Sequence, residues 1–125
     1  MYLLDIMSNL KKLQKEAWQY YKTWMKERTF CKALNKEVAI TLKGWDHITK
    51  GNKSKKRNVK DKINRLQMLK QAKYIITNAK SFTSEVKNGE TYIALESSTP
   101  KPNKIKVIIK KDSKGKLIFH SVMKH

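Results

Sequence analysis

Two of the three histidines stand where an imidazole could move a proton. His47 lies in KGWDHI, just after a short alternating segment and just before a strongly basic stretch, and His120 lies in LIFHSVM. Each also has a structural reading, since an isolated histidine is often a packed side chain and Asp46 beside His47 can be a helix cap. His125, the terminal residue, is assigned no role. The chemistry open to this chain is narrow. None of its acids pairs at metal-ligand spacing, so no metal site is expected. Cys31 is the single cysteine, which rules out an internal disulfide and reads as a small buried hydrophobe. No Gly-rich loop opens a helix and no GxSxG elbow is present, so no cofactor is expected. Metal-free cleavage of RNA remains. It needs a base for the 2′-OH proton, a cation to steady the charge on phosphorus and an acid for the leaving 5′-oxygen. His, Lys, Tyr and Ser side chains can fill those roles, and RNA supplies its own nucleophile.

The charge of the chain fits such a substrate. Lys+Arg number 29 against Asp+Glu 10, a formal net charge of +19 over 125 residues. Self-repulsion on that scale is usually neutralised by a polyanionic partner, nucleic acid first among them. The surplus is uneven: net +4 over residues 1–42, +10 over residues 43–80 and +5 over residues 81–125. Lys50, Lys53, Lys55, Lys56 and Arg57 form the densest run, expected to track an RNA backbone. An isolated run of this kind can equally be a solvated loop. Here it continues into Lys60, Lys62 and Arg65, and a later segment adds Lys104, Lys106 and Lys110 on one strand face. Zinc-finger spacing, heptads after a basic region, a short helix-turn-helix and the aromatic strand of an RRM are all missing from the pattern.

The elements that would position these groups follow from periodicity. Leu3, Met7, Leu10, Leu13, Ala17, Tyr21, Trp24 and Met25 recur every three or four residues, which predicts one long amphipathic helix or a bent pair. Its lysines admit a membrane-surface reading, but the stripe of Trp18, Tyr20, Tyr21 and Trp24 more often packs on a sheet. The N-terminus has no basic leader, Asp5 interrupts it, and no apolar run approaches the roughly 20 residues that span a bilayer. A soluble domain, not inserted in a membrane, is the expectation. Residues 37–42 alternate as a strand, Gly44 ends it, and residues 45–48 make one helical turn. Residues 51–57 read as a flexible loop, and Asn58 with Asp61 caps a helix carrying Val59, Ile63, Leu66, Leu69, Ala72 and Ile76. Strands follow at residues 91–95, 104–111 and 116–123, the last two joined through Gly115. A three-residue loop there sets residue 120 opposite Ile108 and puts His120 on the face of Lys106 and Lys110; an even loop sets Ser121 opposite Lys106. The fold class is α+β: N-terminal helices packed on a small antiparallel sheet, one compact domain with a helical region at 1–36 and a core at 37–125.

VAITLKGWDHI, the basic KKRNVKDKINRLQMLKQAKYIITNA, then ETYIALE and KIKVIIKKDSKGKLIFHSVMKH together resemble the BECR-type nucleases. This is the barnase, EndoU, colicin and RelE-like superfamily, with phage-associated and contact-dependent-inhibition toxins nearest. The resemblance covers roughly residues 37–125. It implies a metal-independent ribonuclease toxin domain, often acting on tRNA and often part of a larger secreted or phage-associated protein, delivered into or acting in the bacterial cytoplasm. An acidic immunity or antitoxin protein and a monomeric domain are implied too. By position, the first-helix histidine of the family falls on His47, and its later groups fall among Tyr92, Lys106, His120 and Ser121. On that basis His47 is general base or acid, Lys106 steadies the phosphate, His120 or Tyr92 is the second proton-transfer group, and Ser121 is a positioning hydroxyl. The alternative is a module that binds RNA or DNA without cutting it, both histidines being structural.

Overall fold

A computed structural model describes residues 2–52, 55–56, 58–99 and 103–124, with the side chains of residues 2–7, 52, 55 and 56 left aside. Lys53, Ser54, Arg57 and His125 lie outside the described residues. Helix α1 (Tyr2–Met25) leads to strands β1 (Phe30–Cys31) and β2 (Lys36–Ala39), then to helix α2 (Leu42–Lys50). The ribbon β3 (Gly51–Asn52) and β4 (Lys55–Lys56) precedes helices α3 (Val59–Gln67) and α4 (Leu69–Asn78). Strands β5 (Thr83–Lys87), β6 (Glu90–Glu96), β7 (Ile105–Lys111) and β8 (Leu117–Lys124) complete the chain. The main sheet has the order β1-β2-β8-β7-β6-β5. The fold is α+β, as expected, but the sheet is larger than the expected meander and is mixed, because β2 runs parallel to β8.

From Leu13 onward the apolar stripe of α1 turns inward. Tyr21 and Trp24 are buried among Trp45 of α2 and Phe119 of β8, with Trp24–Phe119 and Tyr21–Trp45 ring centroids at 5.2 and 5.5 Å. Such tilted aromatic contacts add to the area they bury. Trp24 also donates its indole N–H to the buried Thr29 hydroxyl at 2.8 Å. Desolvation holds the Tyr21 phenol well above its ordinary range, so it stays a donor, and it hydrogen-bonds the Thr41 carbonyl.

Four expectations need correction. The strand at 37–42 is shorter: it ends at Ala39, because Thr41 turns the chain and caps α2, its hydroxyl accepting from the Gly44 N–H at 3.3 Å. Gly44 therefore does not end a strand but lies inside a two-turn helix, where a β-carbon would come within 2.7 Å of both the Phe119 carbonyl and the Tyr21 hydroxyl. The basic segment after α2 is partly paired, Gly51 opposite Lys56 and Asn52 opposite Lys55. The helix expected from Asn58 breaks at Met68, whose N–H is shared between the Asn64 and Arg65 carbonyls, each at 3.2 Å. The break lets α3 pack on α1, α2 and β8 while α4 packs on β1, β6 and β7; Val59, expected in the core, is exposed. Strand β5 had no expectation at all: all five of its residues are exposed, so no alternation marks it.

The last hairpin follows the three-residue register near its turn, with Ile109 opposite Phe119. The pairing then slips. Ile108 faces Ser121, and His120 is the extra residue of a β-bulge. Val122 explains the slip: the unbulged register would turn it out of the core, whereas here it is fully buried opposite Val107.

The Gly44 contact yields a prediction about stability. Ala normally improves a helix interior by about 1 kcal/mol over Gly. Here the methyl meets a strand carbonyl that cannot give way, so Gly44→Ala should lower unfolding free energy by about 1–3 kcal/mol net of that gain. Urea denaturation checks it, and an increase in stability would show that α2 does not lie this close to β8.

Candidate active site

Among the described residues β2 pairs with β8 at Val38–Leu117 and Ala39–Ile118, and the strand pairing on that side stops at Ile118. Helix α2 takes over there, with Gly44 against the Phe119 carbonyl. Trp45 and Ile48 point into the core, which leaves half-buried His47 to emerge one turn before the helix ends. The bulge brings half-buried His120 toward it. The two imidazoles stack with centroids 3.9 Å apart and planes inclined by 31°. Tyr92 from β6 meets the His120 ring edge-on at 5.4 Å.

These rings line a cavity of about 670 Å³ together with Lys106, Ile108, Ser121 and Met123 from the sheet. All five residues expected to be catalytic, His47, Tyr92, Lys106, His120 and Ser121, therefore meet in one place. Of the expected backbone-tracking residues, the described Lys50 and Lys110 are not part of its lining. Lys50 is exposed and pairs with Asp46 across one helical turn at 3.6 Å, and Lys110 pairs with Glu90 at 3.0 Å. Lys55 and Lys56 are placed by their backbone in β4; Lys53 and Arg57 are outside the described residues.

Sequence reasoning missed part of the lining. Asn58, Asp61 and Arg65 enter from α3, and Glu85, Lys87 and Asn88 from the β5–β6 hairpin. Asn88-Gly89 was the available signal: both residues take positive φ, 53° and 78°, which is the two-residue hairpin turn that Asn-Gly favours. Arg65 is buried, its Nε lies 3.1–3.2 Å from both Asp61 carboxylate oxygens, and one terminal nitrogen donates to the Ser121 hydroxyl and, at 3.3 Å, to the Val122 carbonyl. Asn58 fixes the start of that helix, its side-chain oxygen accepting from the Asp61 N–H at 2.8 Å.

Tyr92 is tied to a charged chain. Its hydroxyl donates to Glu90 at 2.7 Å, and Glu90 accepts Lys110 through its other oxygen. The hydrogen bond to Glu90, followed by partial burial and the Glu90 charge, raises the Tyr92 phenol above its ordinary value. The same bond, with the one from Lys110, lowers the Glu90 carboxyl. Near neutral pH Tyr92 is thus a fixed hydrogen-bond donor, poorly suited to exchange a proton. Among the described residues no three His, Cys, Asp or Glu side chains group as a metal site, and no helix is long and apolar enough to cross a membrane.

A 13C-tyrosine NMR titration tests the Tyr92–Glu90 pair. Tyr92 should ionise above the ordinary 10.0, and Glu90→Ala should bring it back down by removing both the hydrogen bond and the charge that raise it. The linkage sign follows: the Tyr92 contribution to stability is present below pH 10 and is lost as pH rises through its raised value, whereas that of Glu90 is lost as pH falls through its lowered one. An unshifted Tyr92 in the native protein would contradict the geometry.

Compared with known proteins, the chain matches one family model over residues 8–120, that of the large polyvalent protein-associated domain 3. No curated protein and no solved structure matches it. The matched span runs from within α1 to His120 and so includes the aromatic core and most of the cavity lining. By its description the family accompanies large polyvalent proteins, in keeping with a domain of a larger polypeptide. The chain belongs to the large polyvalent protein-associated domain 3 family.

Proposed function

We propose that this domain cleaves RNA by attack of a 2′-oxygen on the adjacent phosphorus, without a metal. The observation that carries the reading is the stacked pair of His47 and His120, 3.9 Å apart in a cavity that Lys106 also lines. Two imidazolium charges that close repel, which favours the state with one ring neutral and one protonated. A neutral ring can take the 2′-OH proton and a protonated ring can supply the leaving 5′-oxygen, so the pair offers base and acid together. A phosphate at the rim of the stacked rings would have Lys106 to stabilise the charge that builds on its oxygens. Tyr92, held by Glu90, supports the edge of His120, and His120 is the better second proton-transfer group of the two.

The BECR-type likeness, which rests on the sequence pattern, points the same way and adds tRNA as the target, an acidic protein that covers the cavity and action in the bacterial cytoplasm as part of a larger toxin. The net charge of +19 supports a polyanionic substrate held by long-range attraction.

Purified protein incubated with total tRNA in EDTA should release fragments ending in 2′,3′-cyclic phosphate, with activity rising and then falling with pH. His47→Ala and His120→Ala should each slow cleavage by about 100-fold or more, and Lys106→Met by a comparable factor. Intact RNA at large protein excess would sink the proposal. Salt-sensitive, stoichiometric retention of uncut RNA would return the domain to simple binding.

A further inference from the structure

A bulged strand can pair in more than one way, and β8 holds its bulge at the residue that meets His47. Burial of Val122 selects the register beyond the bulge, but it leaves the polar Ser121 fully buried and the Val122 carbonyl on a stretch of strand that β2 does not reach. Both groups are met by one side chain. Arg65 donates to the Ser121 hydroxyl and to the Val122 carbonyl, immediately after the bulge.

The guanidinium is itself fixed. Both Asp61 oxygens receive its Nε, four residues earlier on the same helix, and the Arg65 side chain retains only 11% of its exposure. Asp61 is anchored in turn by the Asn58 cap. A planar fork with donors in fixed directions suits this double attachment, and a lysine ammonium cannot reproduce it.

We infer that Arg65 is a positioning residue for His120: through Ser121 and the Val122 carbonyl it fixes the β-bulge that sets the His120 ring against His47. The inference rests on the ribonuclease reading for its catalytic consequence, but the geometry it asserts can be measured without RNA. Arg65 acts on the site through the strand; Lys106 remains the group assigned to the phosphate.

Two variants test it, Ser121→Ala and Arg65→Lys, each read in two ways. The first reading is the nuclear Overhauser effect between the His47 and His120 ring protons in 13C-histidine-labelled protein. The Trp24–Phe119 ring contact serves as the check that the core is intact. Both variants should weaken the histidine cross-peak, Arg65→Lys more so, while the core contact persists. The second reading is kinetic. Loss of one charge-assisted hydrogen bond in Ser121→Ala should lower kcat about tenfold, and displacement of the ring in Arg65→Lys should lower it about 100-fold. KM should change little in either, since the phosphate contact is assigned to Lys106 and not to these side chains. If Arg65→Lys fails to fold, Ser121→Ala decides alone. A histidine cross-peak of native intensity in the folded variants overturns the inference, whether or not the protein cuts RNA. Conversely, a weakened cross-peak in a protein that never cuts RNA leaves the clamp standing and removes only the ribonuclease reading.

Discussion

Strand β2 pairs with β8 over two residues and then stops, and the arrangement of the domain follows from what covers the remainder of that edge. An uncovered strand edge inside a sheet would expose unpaired backbone groups and invite wrong pairing. Two covers are used. Helix α2 starts within three residues of the end of β2 and lies so close to β8 that only glycine fits at position 44. Beyond it, Arg65 reaches in from α3 to bond the Val122 carbonyl. Because α2 sits along an edge and not flat on one face, one side of it, Trp45 and Ile48, belongs to the core while His47 opens onto the cavity. A helix lying on the sheet face would have buried its strand-facing residues and turned the rest to solvent.

The aromatic cluster makes this placement rigid. Tyr21 and Trp24 of α1, Trp45 of α2 and Phe119 of β8 are joined by ring contacts between 5.2 and 6.3 Å. Phe119 immediately precedes His120, and Trp45 precedes His47 by two residues. The two candidate proton-transfer groups are thus each attached, within a residue or two, to a side chain locked in the same interior. Proton transfer needs geometry held to fractions of an ångström, and packed aromatics supply stiffness that a loop would not. Helix α1 therefore belongs to the machinery that holds the site, although none of its described side chains lines the cavity.

Much of this was legible in the residues. The 3.6-residue stripe of α1, the Asn58 cap and the alternation of β7 against β8 each depend on contacts close in sequence, and each appears in the structure. Alternation also set His120 on the face of Lys106, and the basic segment after His47 was visible in composition alone. What escaped was decided by long-range packing. The bulge depends on Val122 competing for a place opposite Val107. The break at Met68 depends on α3 and α4 meeting different partners. The contribution of Arg65 could not be read because its charge looked like one more member of a basic face, whereas its neighbour Asp61 and the distant Ser121 draw it inside. Position 44 was misread for the opposite reason: glycine is a local breaker, and here closeness to a strand carbonyl requires it in a helix.

The charge of the molecule and the chemistry of the cavity turn out to be separate matters. Within the lining, Arg65 is paired with Asp61 and Lys87 with Glu85, and the adjoining Lys110 is paired with Glu90. Among the described residues, these cations of the cavity region are balanced by local acids, so they contribute little to the surplus that gives +19. Exposed charges act across about 10 Å at 0.1 M salt, enough to concentrate and orient a polyanion but not to place one phosphate against one ring. In the proposed ribonuclease reading, placement falls to Lys106 on β7 and to the two imidazoles, fixed by the strand and by the helix along its edge. Screening by salt should weaken the first effect far more than the second, because groups held in a half-buried cavity are less screened than groups in open solvent. In that reading, capture and chemistry are set by different residues.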